Sequence, residues 1–203
     1  VAGERCAEGA VSRRLAVVGA GPAGLTAAIA ARRLGFEAVV YEQAPVLGAA
    51  GGGIALQSNG QRALAALDLL AAFEARIATA EVYLIEGPSG APYARTDYRA
   101  LAAPFRRFAV VLRTDLQQHL LQAAERAGVR FEFGRRCTAV VRDRTAAALH
   151  FADGRDAECT VVLGADGTRS AIRTTGGFTG APRPVGLAAL RGVVEREAAP
   201  GVA

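Results

Sequence analysis

The chain has 203 residues, 51% of them apolar, and a formal charge of +5 carried by arginine alone, because it contains no lysine. That apolar share builds a sizeable core and excludes intrinsic disorder, while arginines scattered singly and in pairs, with no basic run interleaved with aromatics, exclude a nucleic-acid binder. Cys6, Cys137 and Cys159 have no close spacing, which excludes a disulfide framework or zinc site, and no apolar run is long and charge-free enough for a membrane span. Residues 1–12 are expected to be a flexible tail without the apolar core of a signal peptide, and the expected location is cytoplasmic.

Residues 15–18 are a short apolar run ending at glycine, the pattern of a buried parallel strand. Gly19, Gly21 and Gly24 follow as G-x-G-x-x-G. The first glycine allows a tight turn, the second a close backbone approach to a pyrophosphate, and the third tight packing of helix on strand. Pro22 and Ala23 open the helix, where a missing N–H costs nothing and the free N–H groups attract phosphate. The helix is predicted to run to Leu34, with Gly35 as its left-handed cap. A second apolar strand ends in Glu42, about 20 residues beyond the motif, the place of an acid that bonds a ribose 2′-hydroxyl and repels a 2′-phosphate. NAD and FAD both satisfy this stretch.

Further on, a small-residue loop around Gly52 and Gly53 turns helical, with Leu64, Leu67 and Leu70 at threes and Asp68 where a left-handed cap is expected. Residues 81–99 alternate about a turn at 87–90, which predicts antiparallel sheet and not a crossover helix. Residues 106–113 add a strand. Thr114 and Gln117 form a T-x-x-Q capping box, and Leu116, Leu120, Ala123, Ala124 and Ala127 make the apolar stripe of a helix ended by Gly128, with His119 on its polar side. Strand-like runs occupy 129–133, 138–143 and 147–153, the last closing on Asp153 and Gly154. Residues 159–167 read as one buried strand entering a turn at Asp166 and Gly167. A helix starts near Ser170, which Asp166 would cap, and a final strand is predicted over 185–195.

In this order, the glycine motif with Glu42, the segment GGGIALQSNGQRAL from Gly51, Arg113 opening RTDLQQHLL, and GADGTRSAIR from Gly164 resemble the single-component FAD-dependent monooxygenases of the p-hydroxybenzoate hydroxylase fold. The resemblance favours FAD over NAD. It implies an α/β, Rossmann-like FAD-binding fold (13–79 and 108–178) interrupted by antiparallel sheet pieces of a substrate domain (80–107 and 179–203), truncated relative to the family. By the same resemblance Gly19, Gly21, Pro22, Ala23 and Gly24 carry the pyrophosphate, Glu42 the adenosine ribose, and Gly52 and Gly53 approach the flavin. Arg113 reaches the phosphate or ribityl side, with Gln117 as a second contact, and Asp166 and Gly167 lie against the cofactor. The residues themselves also allow a surface salt bridge for Arg113, helix capping for Gln117 and Asp166, and a flexible loop at Gly52 and Gly53.

The activity implied is hydroxylation of an aromatic or similar small organic substrate with NAD(P)H as electron donor and O2. No catalytic residue is identified. His119 and His150 do not resemble a base, and Ser58, Ser89 and Ser170 lack a nucleophile elbow, as expected where the flavin carries the hard chemistry. The family's second FAD motif would lie beyond Ala203, so the chain reads as an N-terminal part, with a complementing C-terminal chain as an expected partner. The alternative is a non-catalytic FAD- or nucleotide-binding fragment, or half of a split flavoprotein. A plain NAD-dependent dehydrogenase is disfavoured by the inserted antiparallel sheet.

Overall fold

The computed structural model describes residues 13–48, 52–102, 104–144, 146–180 and 182–189. They fall into two compact units, Val1–Val46 with Ala124–Ala181 and Leu47–Ala123 with Pro182–Ala203.

The first unit opens with β1 (Arg14–Val18), α1 (Pro22–Arg33) and β2 (Glu37–Glu42). Gly35 takes φ +81° just past the helix, the left-handed end that the sequence predicts. The chain then builds the second unit: β3 (Gly53–Leu56), α2 (Ser58–Ala66), a 3-10 turn over Ala71–Arg76, β4 (Ala78–Ala80), β5 (Val82–Glu86), β6 (Pro92–Asp97) and β7 (Phe108–Leu112). α3 (Arg113–Arg126) leads back to the first unit, which is completed by β8 (Arg130–Phe133), β9 (Cys137–Arg142), β10 (Ala147–Phe151), β11 (Asp156–Cys159), β12 (Val161–Gly164) and α4 (Ala171–Thr175).

In the first unit a parallel sheet runs in the order β12-β1-β2-β8. β1 is buried on both faces because the sheet is covered on both, which is why residues 15–18 are continuously apolar. Ala16, Val18 and Tyr41 join Val140, Leu149 and Phe151 of the antiparallel meander β11-β10-β9 in one core, with Tyr41 against Phe151 at 4.8 Å between ring centroids. Leu25, Ala28 and Ile29 form the buried stripe of α1. The successor of β1 in sequence, β2, lies on one side of it and β12 on the other, so the chain direction switches at the carboxyl end of β1. Ligands settle at such a crevice in open α/β sheets.

In the second unit β3-β7-β4 form an antiparallel sheet and β5-β6 a hairpin closed through Gly87–Gly90, as alternation predicts. Tyr83 and Tyr98 both pack on Phe108.

Several expectations are corrected. Residues 53–56 are a strand and not part of a loop. The run 159–167 is not one strand, because the chain leaves the meander at Cys159, turns at Thr160 and joins the parallel sheet as β12. α2 ends at Ala66 with Leu67 as its C-cap, so Leu67 and Leu70 lie beyond the helix, Leu70 as the N-cap of the 3-10 turn, while Asp68 does take the left-handed conformation expected of it, at φ +52°. Thr114 does not cap α3. The helix starts directly off β7 at Arg113, whose N–H donates to Gly52 O at 3.2 Å, so the carbonyl of the residue just before β3 supplies an acceptor at the helix start. His119 is half-buried, stacked on Phe73 with its Nε2 3.1 Å from Leu69 O, and does not lie on a polar face. Residues 185–189 are exposed and form no strand, and the rest of that predicted strand lies outside the described residues.

Candidate functional site

The glycine turn is shaped by sterics at each position. Gly19 holds φ +104°, and a Cβ there would stand 2.5 Å from Ala165 O and 3.2 Å from Asp166 Cα. Only glycine lets the turns that leave β1 and β12 touch backbone to backbone. At Gly24 a Cβ would meet Gly19 O at 2.0 Å, so the first turn of α1 lies flat on the loop that precedes it. Gly21 differs: nothing stands within 4 Å of its Cβ position. It is the N-cap of α1 and makes no side-chain cap bond, and Pro22 follows at the first helical position. The space beside the helix start at Gly21 is therefore open, which leaves room for an anionic pyrophosphate to approach the first-turn N–H groups.

Glu42 closes the other side of this crevice. Its Oε2 accepts the Ala20 N–H at 2.8 Å and its Oε1 the Ala44 N–H at 2.9 Å. Each oxygen keeps a further lone pair for a ligand hydroxyl. Sequence spacing finds Glu42 but not the backbone amides that orient it.

The Asp-Gly turn stands at the carboxyl end of β12. Asp166 Oδ2 accepts the Ile172 N–H at 3.2 Å, while Ser170 is the N-cap of α4 and accepts the Arg173 N–H at 2.9 Å. Arg173 donates to Thr168 O at 2.6 Å and braces the turn, and Gly167 takes φ +80°. The helix is thus held by two acceptors, and Asp166 has one oxygen to spare. Oδ1 is buried and, among the described residues, is the side-chain polar atom left without a hydrogen-bond partner. An orphaned buried acceptor is costly unless a donor arrives, so this atom fits a ligand that brings a hydroxyl or N–H to the turn.

The remaining residues singled out from sequence belong to the second unit and meet at one corner of it. Gly53 pairs with Leu112 across β3 and β7, Gly52 O receives the Arg113 N–H, and Gln117 is buried one turn further along α3. A Cβ at Gly53 would approach Val110 Cγ1 to 3.1 Å. Sequence reading passes over Gln61, which is fully buried in this unit. The available signal is a polar residue three positions before Leu64 on the apolar side of α2.

A βαβ crevice with a glycine turn, an amide-held acid and a second turn carrying a spare acceptor defines a dinucleotide-binding protein. The chain belongs to the FAD binding domain family, whose model matches residues 13–197. It is 39% identical over 196 residues to 3-amino-4-hydroxybenzoate 2-monooxygenase PtnB3 of Streptomyces platensis, covering 93% of this chain and 48% of that protein. It is 35% identical over 164 residues to 6-hydroxynicotinate 3-monooxygenase of Bordetella bronchiseptica, covering 79% of this chain and 42% of the relative. Among solved structures, the tetrameric form of 2-methyl-3-hydroxypyridine-5-carboxylic acid oxygenase aligns with TM-score 0.71 at 28% identity, over 83% of this chain and 43% of that one. The chain spans about half the length of the relatives it matches.

Proposed function

We propose that this chain is the FAD-holding part of an NAD(P)H-dependent monooxygenase that hydroxylates an aromatic ring. The observation that carries the reading is the crevice at the carboxyl ends of β1 and β12, where the open helix start at Gly21 and the orphaned Asp166 Oδ1 offer complementary chemistry to one ligand. In this reading the amides at Gly21, Ala23 and Gly24 hold the pyrophosphate, with Gly19 and Pro22 shaping the turn, and Glu42 accepts the ribose hydroxyls. Asp166 and Gly167 border the cofactor, and Gly52, Gly53, Arg113 and Gln117 supply a second contacting corner. Bound FAD supplies the redox and oxygen chemistry, so the chain's own residues bind, orient and exclude water.

The named relatives act on 3-amino-4-hydroxybenzoate and 6-hydroxynicotinate, and a structural neighbour on a hydroxypyridine carboxylic acid. Each is a ring bearing both a hydroxyl and a carboxylate, which is the substrate class we assign. Residues 80–107 are assigned to the substrate-facing sheet, in keeping with the exposed Tyr83, Leu84, Ile85 and Tyr93 of the hairpin. Dependence on NAD(P)H goes with a cytoplasmic location, and no helix among the described residues is long and apolar enough to cross a membrane.

The test is to add FAD to the purified chain, desalt it, and record the flavin absorption, then follow NAD(P)H oxidation with and without 3-amino-4-hydroxybenzoate or 6-hydroxynicotinate. Flavin retained near one per chain, with oxidation stimulated by such an acid, supports the full reading. A chain that retains no flavin overturns it. Because the chain spans about half of its relatives, a second reading is kept: an FAD-holding half completed by a C-terminal chain. It predicts retained flavin without stimulated oxidation.

A further inference from the structure

The corner formed by Gly52, Gly53 and Arg113 depends on the register of a short ribbon. β3 has the sequence GIAL and β7 FAVVL, paired Gly53 with Leu112 through Leu56 with Ala109. Both strands are apolar throughout, and β3 begins with glycine. A strand pair of this kind has little polar alternation to distinguish one register from the next.

The opposite end of the same ribbon is tied by side chains. Gln61, 0% exposed, donates from Nε2 to Leu56 O at 2.8 Å and to Arg107 O at 3.2 Å. Its Oε1 accepts from Arg107 Nε at 3.0 Å. Arg107 in turn grips both carboxylate oxygens of Glu74 in the 3-10 turn. The amide therefore spends both donors and its acceptor on the last residue of β3 and the residue just before β7. A slip of one residue would strand at least one of these buried groups, which is expensive. Buried polar groups that are fully satisfied in only one arrangement are a known means of specifying register.

We infer that Gln61 is a positioning residue: its buried amide pins the β3–β7 register at one end and so holds Gly52, Gly53 and Arg113 together as a cofactor-contacting corner at the other. The inference rests on the reading of that corner as part of the FAD site. Its direct local consequence is the Arg113 N–H bond to Gly52 O at 3.2 Å, a bond within the chain itself.

The experiment compares Gln61→Met, which keeps volume and loses the bonds, with Leu64→Ala, which opens a cavity on the same helix and leaves the polar network intact. Amide hydrogen exchange at Arg113, whose N–H bonds across the ribbon to Gly52 O, is measured by NMR on the FAD-free chain, and FAD affinity by flavin fluorescence titration. Gln61→Met is expected to speed exchange at Arg113 by about tenfold and to weaken FAD binding by about tenfold. Leu64→Ala, at a comparable loss of melting temperature, is expected to change both by less than about threefold. Equal effects of the two variants at Arg113 would make Gln61 a merely structural residue and overturn the inference. If Gln61→Met does not fold, Glu74→Ala, at the exposed end of the network, is expected to shift exchange at Arg113 in the same direction by a smaller factor, and no shift there overturns the pin. A wild-type chain that binds no FAD defeats the cofactor reading alone, since the exchange data still decide the register.

Discussion

The Glu42 carboxylate accepts the Ala20 N–H at 2.8 Å, joining the carboxyl end of β2 to the middle of the glycine turn. The acid is thus part of the turn's own structure as well as a candidate ribose contact. Glu42→Ala removes this bond and the 2.9 Å bond from Ala44. The expected cost is about 2 kcal/mol in urea unfolding, since hydrogen bonds to a charged acceptor exceed neutral ones and the site is half-buried. FAD affinity should fall by more than that loss explains. If affinity is unchanged while stability drops, Glu42 serves the turn and not the ligand.

The motif glycines separate into those the fold needs and one it does not. Gly24→Ala sets a Cβ 2.0 Å from Gly19 O, a backbone atom that cannot swing away. It is expected to cost about 3 kcal/mol. Gly21→Ala meets open space at φ −72°, and its unfolded-state gain offsets the weaker N-cap, so stability should stay within about 1 kcal/mol of wild type. Its methyl instead occupies the approach to the helix start, and FAD affinity should fall at least tenfold. Thermal melts and flavin titration of the two variants, run side by side, would show opposite patterns, and a Gly21→Ala chain with unaltered FAD affinity would remove the pyrophosphate from this turn.

What the sequence makes legible here is what short-range sterics decide. Gly19 and Gly24 are fixed by contacts a Cβ cannot make, Gly35 and Gly128 by positive φ, and the central parallel strand β1 by the unbroken apolar run Leu15 to Val18, so these are readable residue by residue. The assignments that fail depend on partners distant in sequence. Residues 53–56 read as loop because their strand character comes from β7, more than fifty residues on. Thr114 reads as a cap because nothing local reveals that Gly52 O takes the Arg113 N–H. The apolar run through Thr160 conceals a change of sheet, since both sheets bury the same residue types. Gln61 is passed over in the sequence because its partners, Leu56 O and Arg107, come to it only in the fold.

Cys137 and Cys159 are buried thiols of the first unit's core. Their ladder partners, Phe151 and Ala147, are four residues apart on β10, and the two strands flank it, which separates the cysteines by about 15 Å on strand geometry. No disulfide spans that distance. Burial pushes both thiols above their usual range, and burial together with the Glu132 charge does the same to Tyr41. Each group is raised in the folded state, so its contribution is complete below the unfolded pKa and is lost as pH rises towards the folded one. Stability should therefore be flat to about pH 8 and decline above it, by up to about 1.4 kcal/mol per pH unit for each group. Urea unfolding between pH 7 and 10.5 measures this, and Cys137→Ala with Cys159→Ala should flatten the first part of the decline. A decline that begins at the same pH in the double variant would assign it to other groups.

Asp166 should show function and stability pulling apart. In the free chain its Oδ2 holds the Ile172 N–H while Oδ1 is buried without a donor. Asp166→Asn can keep the Ile172 bond through its carbonyl oxygen and puts an amide NH2 where the unpartnered acceptor stood. Stability should change by less than about 1 kcal/mol, because the variant exchanges one poorly satisfied buried group for another without its charge. A ligand hydroxyl or N–H that needs an acceptor there meets a donor instead, and donor facing donor leaves both unpaired. FAD affinity should then fall about tenfold, from a chain whose melting curve is nearly that of wild type. Asp166→Ala, which removes both oxygens, should bind as weakly and lose a little more stability through the Ile172 bond. Should the Asn variant hold FAD as tightly as wild type, Oδ1 faces no ligand donor, and the turn's contribution to the site reduces to backbone shape: the close approach of Ala165 and Asp166 to Gly19.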